Sequence, residues 1–288
     1  MGELPMTAGF GTAVGVRARI EIAFIYLALI VLAVGMLVPF AWMASASLQM
    51  DKDVFRFPFQ WLPKAPRWRN YELIWKRVPF LTFFLNTSKL TLIITLLQLL
   101  TSSLAAYAFA RLEFKGRDAL FLGYVATIAI PWQVYMVPQF IMMRMIGLNN
   151  THLALIILQA FTAFGVFLMR QFFIGIPKEL SDAARIDGLG EYGIYARIML
   201  PLSKPALATL TIFTFVTVWN DFMGPLIYLN SEKLKTIQLG LRMFIQQYSA
   251  EYSLIMAASL VSLVPVILLF LFLQRYFIEG VASSGVKG

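Results

Sequence analysis

Long uninterrupted apolar runs alternate along this chain with polar connections that carry prolines, glycines and most of the charge. A helix crossing a bilayer needs ~20 predominantly apolar residues, since each adds about 1.5 Å against a hydrocarbon thickness of about 30 Å. Six stretches reach that length: 20–44, 83–110, 119–143, 153–174, 206–229 and 254–273. The fourth is the weakest, because Arg170 sits near its end. Membrane β-strands would alternate between lipid-facing and lumen-facing residues, and these runs do not. The pattern predicts an all-α integral membrane protein with six transmembrane helices. The first run ends near Ala44-Ser45-Ala46, which imitates a signal-peptidase site. Its apolar stretch is far longer than the roughly 7–15 residues of a signal peptide, so it reads as a retained helix. Pro39, Pro131, Pro138, Pro225 and Pro265 fall within or beside the spans and predict kinks.

Composition supports the same class. Of 288 residues, 59% are hydrophobic and 14% charged, whereas a soluble domain runs about 45–50% apolar and about 25% charged. So few charges would leave large apolar patches on a soluble surface, and such composition also excludes disorder. Cysteine is absent, which removes disulfides, thiolate metal sites and cysteine nucleophiles. His152 is the only histidine, and no G-x-x-x-x-G-K-[ST] loop occurs. A nucleotide that drives this protein must therefore be bound by another chain. The net charge of +9 is scattered between apolar spans rather than gathered into a patch, which argues against nucleic acid. With six spans the 24 lysines and arginines divide evenly between the two faces, so the positive-inside rule assigns no orientation.

The connections differ in character. Residues 48–82 include Phe57-Pro58-Phe59-Gln60-Trp61-Leu62-Pro63, rich in proline and aromatics and suited to a structured patch at the membrane interface. Residues 175–205 form the most informative loop. Pro177 fits a first helical turn, Glu179 and Asp182 suit the positive end of a helix dipole, and Gly188 and Gly190 provide a stop and a sharp turn. A second short helix is predicted from Glu191 to about Met199, ended by Pro201. Leu180, Ala183, Ala184 and Asp187 share one flank of the first helix, and the two alanines offer a shallow surface to a partner. The alternative is that Lys178–Asp182 and Asp182–Arg185 merely pair on a solvated face. In the fifth span, Trp219, Asn220 and Asp221 stand out, because ionisable groups inside a membrane are costly and face a cavity or partner. Asn220 and Asp221 would face such a cavity, with the aromatic Trp219 beside them. The competing reading has Asp221 hydrated near the outer interface or paired with Lys89.

Asp182-Ala183-Ala184-Arg185-Ile186-Asp187-Gly188, followed by Ile198-Met199-Leu200-Pro201, resembles the EAA loop of ABC importer permeases, with aspartate in place of the leading glutamate. Asn70-Tyr71, Asn86-Thr87-Ser88, Ala105-Ala106-Tyr107-Ala108-Phe109-Ala110-Arg111-Leu112, Gly147-Leu148-Asn149-Asn150-Thr151, Trp219-Asn220-Asp221-Phe222 and the ending Gly285-Val286-Lys287-Gly288 resemble its carbohydrate branch, in particular the second, six-helix permease of maltose-type systems.

That resemblance implies a non-catalytic permease forming half of a translocation pathway. Its partners would be a second homologous permease subunit, two cytoplasmic ATPase subunits carrying ATP and Mg, and an extracytoplasmic sugar-binding protein. No cofactor would be bound by this chain. Glu179, Asp182, Ala183, Ala184, Arg185, Asp187 and Gly188 would couple to the ATPase, while Asn86, Trp219, Asn220 and Asp221 would belong to the pathway. The implied layout is a cytoplasmic segment 1–19, a permease domain 20–276 with an extracytoplasmic loop 48–82 and a cytoplasmic loop 175–205, and a cytoplasmic tail 277–288. The protein would sit in the inner (cytoplasmic) membrane with both termini inside, the loops 48–82 and 230–252 receiving the binding protein and the tail reaching the ATPase interface. An ion-coupled secondary transporter is the main alternative, and a membrane-embedded enzyme is a weaker third.

Overall fold

The computed structural model describes residues 16–58, 60–245 and 251–285, so most of the segment 1–19, residues 246–250 of the loop 230–252 and Val286-Lys287-Gly288 of the tail lie outside the described residues. Among the described residues the regular elements are helices. α1 (Val16–Ser47) is followed by the short α2 (Asp51–Val54) and by α3 (Arg69–Arg77). α4 (Phe80–Arg111) runs unbroken for 32 residues, or about 48 Å at the α-helical rise. α5 (Arg117–Ala126) and α6 (Trp132–Met145) come next, then α7 (His152–Gln159) and α8 (Ala163–Gly175). The loop between the fourth and fifth spans contains α9 (Lys178–Ile186), α10 (Glu191–Ile194) and α11 (Leu200–Leu202). α12 (Lys204–Trp219), α13 (Met223–Tyr228), α14 (Ile237–Met243) and α15 (Tyr252–Gly285) complete the chain.

Among the described residues, four helical stretches are each long and apolar enough to cross a membrane, and two bent pairs bring the number to six when each pair counts as one span. The third expected span, 119–143, is not a kinked helix. A 3₁₀ turn at Thr127–Ala129 precedes Pro131, and the two halves meet at 99°. Pro131 lacks the N–H that would continue the ladder and holds Ile130 in extended backbone, with φ −89° and ψ 109°. The fifth span also departs from expectation. α12 ends at Trp219, and Asn220 to Phe222 interrupt the run before α13. At its other end α12 meets the Glu191–Leu202 stretch at 77°. Pro201 does not stop that stretch at Met199: Tyr195–Met199 widen into a π-turn, and helix continues to Leu202. Pro39, Pro138 and Pro265 sit inside helices that continue through them, and Pro225 occupies the first turn of α13, where its missing N–H costs little.

α4 is the central strut, with its heaviest packing against α8 and α12 and further contacts to α3, α7 and α14. The α4–α8 approach is very close: a Cβ added at Gly165 would lie 2.4 Å from Ser102 Oγ. Near the start of α4, Gly240 plays the same part against the Phe83 ring, again with 2.4 Å to a hypothetical Cβ. α1 is the opposite case, exposed around its whole circumference from Arg19 to Phe40.

Candidate functional site

Two regions of polar chemistry lie one at each end of a stretch of α4. The first is the loop 175–205. α9 begins after Pro177, whose φ of −55° is preset for helix entry, and Glu179 lies in its first turn. It ends in a Schellman motif. Gly188 has φ +83°, its N–H reaches the Arg185 carbonyl at 3.0 Å, and the Leu189 N–H reaches the Ala184 carbonyl at 2.9 Å. Glycine enters this left-handed region without the Cβ clash that penalises other residues. The turn folds Leu189 back onto a buried cluster that includes Ala184, Ile194, Tyr195, Met199, Phe173 and Met169.

The expected small-residue flank is split by this packing. Ala184 and Ser181 are buried against the body of the protein, while Leu180, Ala183 and Asp187 stay outside. Glu179, Asp182 and Arg185 are also exposed, and Ile186 is the most exposed apolar residue of α9, at 87%. Asp182 accepts from Arg185 at 2.8 Å, the solvated pairing weighed above, and Arg185 continues to Glu191 at 3.0 Å. The Glu191 hydrogen bond raises the Arg185 pKa above its ordinary value, so this cation stays charged throughout. Glu191 in turn accepts from Tyr107 Oη of α4 at 2.5 Å. Tyr195 Oη lies 2.7 Å from Ser103 Oγ, and Arg111 Nη2 donates to the carbonyls of Phe173 and Ile176 at the end of α8, at 2.6 and 2.5 Å. The loop is thus bolted to α4 and α8, with a projecting face on α9.

The second region lies at the helix breaks. A cavity of about 440 Å³ is lined by Gln98 of α4, Trp132, Tyr135 and Gln139 of α6, Gln159 and Thr162 at the α7–α8 break, and Thr217, Asp221 and Tyr228 of the fifth span. Backbone freed by a break inside a membrane must find partners, because lipid supplies none. Here α4 supplies them: Gln98 Nε2 donates to the Gln159 carbonyl at 2.6 Å and Thr101 Oγ1 to the Ala160 carbonyl at 2.8 Å. Thr214 donates to Gln98 Oε1 at 2.8 Å, which fixes the amide. Asp221 accepts from Gln159 Nε2 at 2.9 Å and from the Gly224 N–H at 3.0 Å, and is not paired with Lys89.

The four residues expected along the passage therefore separate. Asp221 faces the cavity. Asn220 is exposed and accepts from Gln238 Nε2 at 3.2 Å. Trp219 is 2% exposed, stacks on Phe215, meets Phe84 edge-on and donates to the Ser262 carbonyl at 3.0 Å, which leaves no ring face for a sugar. Asn86 donates to the carbonyls of Lys233 and Lys235 at 2.8 and 3.0 Å, stapling a loop to α4. Gln98, Gln139 and Gln159 went unnoticed in the sequence, although amides inside apolar runs carried the same signal as Asp221.

The fold matches known proteins. Residues 6–283 fit the model of the binding-protein-dependent transport system inner membrane component, and the chain belongs to that family. It is accordingly a multi-pass membrane component of a transport system rather than an enzyme. It is 42% identical over 207 residues to the arabinooligosaccharides transport system permease protein AraQ of Halalkalibacterium halodurans, covering 72% of this chain and 74% of that one. It is 35% identical over 262 residues to the melibiose/raffinose/stachyose import permease protein MelC of Bacillus subtilis, covering 90% and 94%. A chain from the crystal structure of a bacterial ABC transporter involved in the import of the acidic polysaccharide alginate superposes with a TM-score of 0.80 at 25% identity, covering 94% of this chain and all of that one. Family membership takes the place of the secondary-transporter and membrane-enzyme alternatives.

Proposed function

We propose that this chain is one permease subunit of an ABC importer for an oligosaccharide, with α9 as the element that docks on a cytoplasmic ATPase. The observation that carries the cargo assignment is the cavity at the helix breaks. Its amides, hydroxyls and aromatic rings offer the mixture of hydrogen bonds and flat apolar faces that pyranose and furanose rings require. The saccharide systems named for the relatives point the same way. In this reading the cavity is the chain's half of the passage, a second homologous permease closes the other half, and an extracytoplasmic binding protein delivers the sugar.

The coupling assignment draws on the exposed face of α9. A stiff helix capped at Gly188, with Leu180, Ala183 and Ile186 outward, presents a short apolar ridge flanked by Glu179, Asp182, Arg185 and Asp187. Such a ridge fits a cleft in a soluble subunit and transmits its rotation as a rigid body. ATP and Mg belong to that subunit, and this chain holds no cofactor in the reading. α9 on the cytoplasmic side puts both termini there also, and puts the connections 48–82 and 230–252 outside.

Purification of the tagged chain from detergent-solubilised membranes tests the assignment. Co-purification of a P-loop ATPase and a second polytopic permease, with binding-protein-dependent uptake of a neutral oligosaccharide after reconstitution, is expected. A chain that purifies alone and transports on an ion gradient would overturn it.

A further inference from the structure

One helix joins the two regions. α4 carries Gln98 in the cavity wall and Tyr107 at the coupling loop, nine positions further along, or about 14 Å at the α-helical rise. Tyr107 is buried, and its hydroxyl donates to Glu191 at 2.5 Å, the carboxylate that also holds Arg185 of α9. One turn further on, Arg111 binds the Phe173 and Ile176 carbonyls, the last backbone before α9 begins. One turn before, Ser103 meets the Tyr195 hydroxyl at 2.7 Å, and the Tyr107 and Tyr195 rings pack edge-on at 5.5 Å. The segments entering and leaving α9 are therefore both fastened to the same nine-residue stretch of α4, Ser103 to Arg111, in addition to their covalent links to α8 and α12. A hydroxyl–carboxylate bond of this kind is charge-assisted and about twice as strong as a neutral one. Toward the cavity, Gln98 and Thr101 hold the carbonyls at the α7–α8 break.

Building on the reading of α9 as the docking element, we propose that Tyr107 and Arg111 are positioning residues. They form the joint through which displacement of α9 moves α4 as a rod and so moves Gln98 and the helix break at the cavity. The chain links into α8 and α12 alone would leave α4, the strut between them, to follow passively.

The test uses the complete transporter in proteoliposomes, with the second permease, the ATPase and the binding protein, and reads sugar taken up per ATP hydrolysed. Tyr107→Phe removes one hydroxyl and keeps the ring packed against Phe173 and Tyr195. ATP hydrolysis is expected to persist while the uptake ratio falls about tenfold, the scale of one lost hydrogen bond to a charged group. Glu191→Gln, which keeps an acceptor oxygen, is expected to retain more of the ratio than Glu191→Leu. A wild-type ratio for Tyr107→Phe, or equal ratios for the two Glu191 variants, would overturn the joint. Should Tyr107→Phe fail to assemble, Ser103→Ala tests the same fastening, and an unchanged ratio there overturns it equally. If the unmodified chain brings down no ATPase, the docking role of α9 fails first, which separates that failure from failure of the joint.

Discussion

α1 and α4 are both 32-residue helices, and hydropathy alone qualifies each to cross a membrane. They are used in opposite ways. The most apolar window of α1 is buried nowhere by the rest of the chain, whereas a third of the corresponding α4 window is. α1 offers uniform aliphatic and aromatic side chains, suited to lipid or a neighbouring subunit. α4 interrupts its apolar run with Thr87, Thr91, Thr95, Gln98, Thr101, Ser102 and Ser103; Thr87, Gln98, Thr101 and Ser103 hydrogen-bond to backbone or side chains, while the hydroxyls of Thr91, Thr95 and Ser102 are buried without a partner. The difference teaches that apolar length places a helix in the membrane, while small and polar residues within it decide what it organises. In lipid, helices gain little from burying more hydrocarbon and associate through close packing and hydrogen bonds.

Substitutions along the two helices and their partners sharpen the contrast, beginning with the largest effect. Gly165→Val should be the most damaging, because even its Cβ would meet Ser102 Oγ at 2.4 Å and Thr162 Cγ2 at 2.7 Å. Overpacking of this kind costs about 1–3 kcal/mol, seen as a lowered melting temperature in detergent. An unchanged melting temperature would mean that α4 and α8 are not in close contact. Gly188→Ala follows. The space around its Cβ is open, so the cost is conformational, roughly 1–2 kcal/mol for a left-handed residue. Membrane insertion should survive while transport is lost, measured as radiolabelled sugar uptake by vesicles. Asn86→Ala removes both donors to the 233–235 carbonyls and should cost about 1 kcal/mol, with faster proteolysis of that loop as the readout. Leu29→Ala in α1 should change the stability of the isolated chain by less than about 0.5 kcal/mol, since its side chain is exposed. A larger loss would contradict the description of α1 as unburied within this subunit.

Much of this architecture was legible in the chain. Apolar runs marked the spans, and Gly188 marked the end of α9 because so few residues tolerate its φ. The breaks were not legible as breaks. Pro131 read as a kink, yet a 3₁₀ turn precedes it, the two halves meet at 99° and α5 packs on α8, a tertiary contact that no local pattern shows. Three asparagines of the motifs proved to be staples: Asn70 donates to the Ser47 and Gln49 carbonyls, Asn86 to those of Lys233 and Lys235, and Asn150 Oδ1 accepts from the N–H groups of Asn230 and Ser231. Their partners lie far away in sequence, up to 149 positions in one case, so no local pattern reveals the role. Trp219 was misleading for a related reason. A tryptophan beside an intramembrane aspartate fits a sugar platform as well as a core residue, and only the ring stack with Phe215 and the bond to Ser262 distinguish them. Gln98 and Gln159 carried a readable signal, because an amide inside a membrane span demands a partner or a cavity, and these two have both.

The most direct measurement of the central claim is side-specific labelling at the tip of α9. The chain contains no cysteine, so Ile186→Cys provides a single reporter at a position that is 87% exposed. In sealed vesicles of known orientation, a membrane-impermeant maleimide should react only from the cytoplasmic face. The reaction should be blocked while ATPase subunits are bound and return when they are stripped away. Labelling from the outer face, or equal labelling with and without those subunits, would contradict α9 as the docking element.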